Sequence, residues 1–148
     1  MTNDFALIDE MLRTARAIAV VGMSDKPNRA SHQIGLYLAG KGYYITPVNP
    51  NLGEVLGIKC YPDLDAAQTA AQQSTGAGID LVNVFRAPQH VPAIVDDVIR
   101  LGIRYLWLQD GVIHDQAVAR ARAAGVRCVV NDCIYRRHAA RTNPGSGH

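Results

Sequence analysis

The stretch Ala17-Ile18-Ala19-Val20-Val21-Gly22-Met23-Ser24-Asp25-Lys26-Pro27-Asn28-Arg29-Ala30-Ser31 decides the fold. Its first five residues are apolar without a polar partner face, which predicts a strand buried on both sides. Gly22 closes that strand, and an amphipathic pattern over 31–39 predicts a helix, with Ile34, Tyr37 and Leu38 inward and Gly40 and Gly42 ending it. A turn of this kind in an open α/β sheet sets unpaired amides and the positive end of a helix dipole beside the strand end, where an anion is favoured. Ser24 and Ser31 add hydroxyls, and Lys26 and Arg29 add charge. Strand-to-helix loops of the same composition that bind nothing are also common.

Outward from this loop the pattern alternates. A leading helix carries Phe5, Ile8, Leu12 and Ala15 on one face, and 43–48 reads as a second strand stopped by Asn49-Pro50-Asn51. Residues 52–61 suit a turn with a short strand or edge segment. Further strands are predicted over 79–85, 104–108 and 127–130. Helices are predicted from Pro62 to about 73, from Pro88 to 101, over 115–124 and over 132–140. Strands and helices in this alternation predict the α/β class, with a single doubly wound, mostly parallel sheet and right-handed crossovers.

Ligands of such sheets sit beyond the carboxyl ends of the strands, near the point where strand order reverses. Those ends read Gly22-Met23-Ser24, Val48-Asn49-Pro50, Phe85-Arg86-Ala87-Pro88, Gln109-Asp110-Gly111-Val112 and Asn131-Asp132-Cys133. All carry glycine, proline, amide or small polar residues, so one continuous groove is expected. An NAD(P)-type nucleotide binder is an alternative, but G-x-G-x-x-G is absent. Asn49 and Pro50 also stand where an acid would hold the cofactor ribose. Lys26 and Arg29 favour a ligand with more terminal phosphate charge.

Composition narrows the remaining classes. The chain has 148 residues and is 48% hydrophobic, enough for one domain with a proper core, assigned to 1–141 with a flexible tail at 142–148. A net charge of +2 implies no nucleic-acid partner. The arginines from Arg120 to Arg141 read as a solvated helix face or a subunit contact, such as a homodimer or a regulatory protein partner. No apolar run approaches the length of a membrane span. Three cysteines without a C-x-x-C pair, and no basic-then-apolar leader, point to a reduced, cytoplasmic setting.

Several separated motifs resemble the stand-alone CoA-binding protein family, which is similar to the N-terminal domain of the succinyl-CoA synthetase α subunit. They are Val20-Val21-Gly22-Met23-Ser24 with Pro27 and Arg29, Tyr44-Ile45-Thr46-Pro47-Val48-Asn49-Pro50, and Gly57 with Cys60-Tyr61-Pro62. Asp80-Leu81-Val82 with Val84-Phe85-Arg86, Leu106-Trp107-Leu108-Gln109 with Gly111-Val112, and Cys133-Ile134 with His138 complete the set, covering residues 15–140. The resemblance implies a Rossmann-like domain that binds coenzyme A or an acyl-CoA noncovalently, with no catalysis evident. Gly22, Met23 and Ser24 would cradle the phosphates with charge from Lys26 or Arg29, and Val48, Asn49 and Pro50 would lie against the nucleotide. Phe85, Arg86 and Pro88 would border the adenine or pantetheine path, and Gln109, Gly111 and Val112 would face the pantetheine arm. The chain departs from the family at Tyr135-Arg136-Arg137, where a lysine, an apolar residue and a glutamate are common, and Asp110 sets a carboxylate beside the groove.

Cys133 raises an enzymatic alternative, a thiol-dependent acyl-transfer or redox protein with His138 as base. Its competing reading is a small buried residue at a helix start. His32 and His90 are expected near helix starts facing solvent, Trp107 and Phe85 in the core, and Asp63 and Asp65 complementing a helix dipole. Histidine spacing fits no metal pattern.

Overall fold

The computed structural model describes residues 3–142. Five parallel strands form the sheet: β1 (Ala17–Val21), β2 (Tyr44–Val48), β5 (Leu81–Val84), β6 (Tyr105–Leu108) and β7 (Arg127–Val129), in the order β2-β1-β5-β6-β7. The short pair β3 (Glu54–Val55) and β4 (Ile58–Lys59) forms a separate antiparallel hairpin in the segment read as turn and edge. A single parallel bridge from Val48 to Tyr61 adds a rudimentary strand beyond β2. Counting it, the strand order becomes that of the Rossmann fold, with the reversal between β1 and β5.

Strand periodicity divides the core. Ala17, Ala19 and Val21 pack with Val82 and Val84 under α3 (Leu64–Thr75), α4 (Val91–Leu101) and α5 (Asp115–Ala123). Ile18 and Val20 pack with Leu81 and Trp107 under α1 (Phe5–Thr14), α2 (Ala30–Gly40) and α6 (Ile134–Thr142). Both faces of every central strand are therefore covered, which is why β1, β5 and β6 read as unbroken apolar runs. Asp63 caps α3 through Ala66 N and Asp65 lies in its first turn, both as expected, and Asp65 also pairs with Arg100 at 2.8 Å.

Two readings need correction. Phe5 is 63% exposed beneath the Arg137 guanidinium, whereas Ile8, Leu12 and Ala15 of the expected face are buried, together with Leu7 and Met11. The closing helix starts at Ile134 and ends at Thr142, so the first residue of the expected tail is helical, and the rest of that tail lies outside the described residues. The arginine-rich end is largely paired within the chain: Arg120 with Asp96, Arg127 with Glu10, Arg136 and Arg137 with Asp132, and Arg141 with Asp9. Among the described residues no helix is long and apolar enough to cross a membrane.

Among the described residues two buried polar side chains, Thr46 and Asn83, have atoms without a hydrogen-bond partner. Asn83 on β5 is fully buried beside Val20 and Trp107 in the register, and neither its amide nitrogen nor its oxygen has a hydrogen-bond partner. An unpaired buried amide costs about 1–3 kcal/mol. Asn83→Leu, close in shape, is expected to raise the urea midpoint at unchanged slope. A lower midpoint would show that a trapped water already satisfies the amide.

Candidate functional site

Three strand ends converge on Gly22. Its N–H donates to the Val48 carbonyl at 2.8 Å, and its φ of +87° is glycine territory. A Cβ there would stand 2.8 Å from the Phe85 carbonyl oxygen and 3.0 Å from Arg86 Cδ. Gly22 thus forms the floor of the crevice between β1 and β5, with the Arg86 side chain across it. Arg86 is held in turn by His90, whose Nε2 lies 3.1 Å from Nη2. Pro88 is exposed at the start of the 3-10 turn Pro88–His90.

The loop after Gly22 is tied to itself. Met23 is fully buried and lies against α2, in the space that a side chain on Gly35 would need. Ser24 N–H donates to Ser31 Oγ at 3.0 Å, Ser24 Oγ accepts from Lys26 N–H at 3.0 Å, and His32 Nδ1 lies 2.9 Å from the Ser24 carbonyl. Both hydroxyls therefore shape the loop, and His32 is buried, contrary to its expected solvent position. Asn49 fastens the same loop from the second strand end, donating to the Met23 carbonyl at 3.1 Å and accepting from Asn51 N–H at 2.9 Å. Val48 is buried beneath it and Pro50 is exposed.

What stays open is cationic. Arg29 is the N-cap of α2 without a capping side chain, so the first-turn amides keep no intrahelical acceptor. Lys26 and Arg29 are exposed, and among the described residues neither has a carboxylate within ion-pair distance.

Further along the edge, Gln109 is 4% exposed and its Oε1 accepts from Ile134 N–H at 3.0 Å, capping α6. Val112 is buried as well, so exposed Gly111, with φ +81°, presents backbone there. Asp110 is turned to Arg136 at 3.2 Å. Cys133 is nearly buried at the start of α6, and its backbone N–H donates to Asp132 Oδ1 at 2.8 Å.

His138 does not serve Cys133. Its Nδ1 is 2.8 Å from the Tyr37 hydroxyl, its ring packs against Tyr37 and Tyr43, and burial with the nearby Arg141 and Lys41 charges lowers its pKa. The other thiols are buried too: burial raises the Cys60 pKa and pushes that of Cys128 up to about 11. Among the described residues no group of three histidines, cysteines or acids is placed to hold a metal.

Sequence reasoning missed Asn83, Gly35 and Asp132. An amide inside an otherwise apolar strand was the available signal for Asn83. Gly35 gave none, because its meaning depends on Met23 folding back twelve residues earlier. Asp132 is 3% exposed, and Arg137, Arg136 and Asn3 all donate to it.

Comparisons with known proteins agree with this geometry. The family model described as a CoA binding domain matches residues 16–139. A Bacillus subtilis protein designated YneT, described as uncharacterized, is 33% identical over 134 residues, covering 90% of this chain and 93% of its own length. A hypothetical protein from Pyrococcus horikoshii superposes with a TM-score of 0.81 at 33% identity, covering 93% of this chain and 91% of that one. A Thermus thermophilus protein does so with 0.79 at 27% identity, covering 93% and 98%.

Proposed function

The chain belongs to the CoA-binding domain family, and from that membership we propose that it binds coenzyme A or an acyl-CoA noncovalently across the carboxyl ends of its strands. The observation that carries this reading is the coincidence of a glycine floor at Gly22, an uncapped α2 N-terminus and two unpaired cations, Lys26 and Arg29. Oriented amides and a helix dipole suit a pyrophosphate, and exposed arginine suits a terminal phosphate, which it can grip with two parallel hydrogen bonds.

In this reading the backbone of Gly22, Met23 and Ser24 lines the pyrophosphate, because the side chains of Met23 and Ser31 are committed inward. Asn49 positions the loop, and Pro50 with the Val48 backbone borders the nucleotide. Phe85, Arg86 and Pro88 wall the path of the arm, which continues past Gly111 and the backbone of Gln109 and Val112 toward Cys133. Two observations weigh against the other readings. Asn49, at the position where a nicotinamide binder holds its ribose, has its amide hydrogen-bonded to the loop. Cys133 lacks the histidine that a thiol mechanism would use.

The test is a thermal-shift panel of CoA, acetyl-CoA, dephospho-CoA, NAD and NADP on wild type and Arg29→Glu. A ligand at a hundred times its Kd stabilises by about 2.7 kcal/mol, so CoA is expected to raise Tm by about 5–10 °C and the nicotinamides by far less. Arg29→Glu is expected to weaken CoA more than dephospho-CoA. Preferential stabilisation by NAD or NADP overturns the proposal.

A further inference from the structure

The sheet edge opposite Gly22 carries a crevice of its own. It lies at the amino ends of the strands, where Arg16 precedes β1, Asp80 precedes β5 and Arg104 precedes β6, and its volume is about 1020 Å³. That is the upper end of the range for small-molecule sites. The five residues of β1, about 16 Å of strand, separate it from the groove proposed for CoA.

Cations dominate its lining. Arg13, Arg16, Lys41, Arg104 and Arg141 line it together with Asp80, and Asp9 lies between Arg13 at 3.5 Å and Arg141 at 2.8 Å. Five positive charges stand against these two carboxylates, an excess of three. Glu10, the next residue on α1, does not change the balance, because Arg127 holds it at 2.7 Å. Asp80 is committed: its Oδ2 accepts from the N–H groups of Arg16 at 2.8 Å and Ala17 at 2.9 Å, and Arg104 lies 3.5 Å from its Oδ1. Arg16 and Lys41 are exposed, and among the described residues neither has a carboxylate within ion-pair distance.

Helix capping does not use these side chains. The ends of α1 and α2 border the crevice, but backbone groups cap them: Ala15 N–H donates to the Met11 carbonyl, and Lys41 N–H to those of Tyr37 and Leu38. His138 also lines the space. It is 5% exposed, its Nδ1 is 2.8 Å from the Tyr37 hydroxyl, and its Nε2 has no hydrogen-bond partner among the described residues. A buried ring of the lining thus keeps one nitrogen unused.

We infer that this crevice is a second ligand site and that it takes a linear oligophosphate, free or carried by a nucleotide. A single phosphate would engage one or two of the cations and leave the others repelling each other. A chain of phosphates meets several at once, with arginines able to grip its oxygens in pairs. The site stands apart from the CoA reading and does not depend on it.

The experiment is calorimetry with inorganic tripolyphosphate at about 0.15 M salt, where loose surface attraction is screened. Wild type is expected to bind it saturably and at least tenfold tighter than orthophosphate. Arg16→Gln and Lys41→Gln are each expected to weaken it about tenfold, the effect of one charge-assisted hydrogen bond, and to leave CoA affinity unchanged. Both residues are exposed, so the variants keep the fold. Arg29→Glu, at the other edge, leaves tripolyphosphate unaffected. UTP, which lacks the adenine of CoA, separates the two carriers: equal affinity assigns the phosphate chain alone, tighter binding a nucleotide, and both support the site. His138 reports occupancy. Burial, and then the Arg141 and Lys41 charges, lowers its pKa, and a polyanion bound beside them offsets those charges, so its NMR titration midpoint is expected to move up. Absence of saturable binding, a loss confined to Arg29→Glu, unchanged affinity in Arg16→Gln and Lys41→Gln, or an unmoved His138 midpoint overturns the site.

Discussion

Gly22→Ala is expected to lower stability by about 2–4 kcal/mol and to weaken CoA at least tenfold, about 1.4 kcal/mol of binding. Two causes add. A non-glycine residue at φ +87° is strained by about 1–3 kcal/mol, and the new methyl would meet the Phe85 carbonyl at 2.8 Å, a backbone atom that cannot swing away. Relief comes only by separating β1 from the loop after β5, which opens the crevice floor. Gly125→Ala is the control. Its φ of +92° imposes the same backbone strain, yet no heavy atom stands within 4 Å of the new Cβ. It is expected to lose stability while retaining CoA affinity. Equal loss of binding in both variants would mean that Gly22 acts through stability alone.

Asp132→Ala is expected to lower stability by about 3 kcal/mol, or about 10 °C in Tm, because it leaves the partners of a buried carboxylate without their acceptor. The Asp132 side chain is 4% exposed, while Arg136 and Arg137 reach solvent, which keeps the cost at the lower end for buried pairs. Burial by itself raises the Asp132 pKa; the Arg137, Cys133 N–H and Asn3 hydrogen bonds outweigh it and hold the group below its ordinary 3.8. An acid with a depressed folded pKa contributes stability that is complete above the unfolded value and disappears as pH falls through the folded one. Wild type is therefore expected to lose stability below about pH 4, with part of that slope missing in Asp132→Asn. An unchanged acid limb in that variant would show that other carboxylates govern it.

The strand ends were legible in the sequence because apolar runs buried on both faces announce themselves and glycine or proline marks where they stop. The parallel, doubly wound class followed from alternation with helices. Which atoms the site keeps free was not legible. Ser24 and Ser31 look like ligand donors in sequence, but the hydroxyls close their own loop, since a turn this short offers nearer backbone partners. Gln109 likewise reads as a groove residue, whereas its amide caps a helix that begins twenty-five residues later in the chain. Such commitments depend on contacts between distant segments, and periodicity carries no information about them. The Rossmann order was hidden for a related reason: its outermost strand is reduced to the bridge at Tyr61.

The free margin of the sheet at β7 is closed by side chains. Asn3 gives its amide hydrogen to the Val130 carbonyl at 2.8 Å and takes the Val130 N–H at 3.0 Å, while Arg122 occupies the Cys128 carbonyl. These are the groups that would zip onto an incoming strand. Polymerisation by edge-to-edge β pairing is blocked on that flank, so copies of this molecule that associate there must meet through helical surfaces.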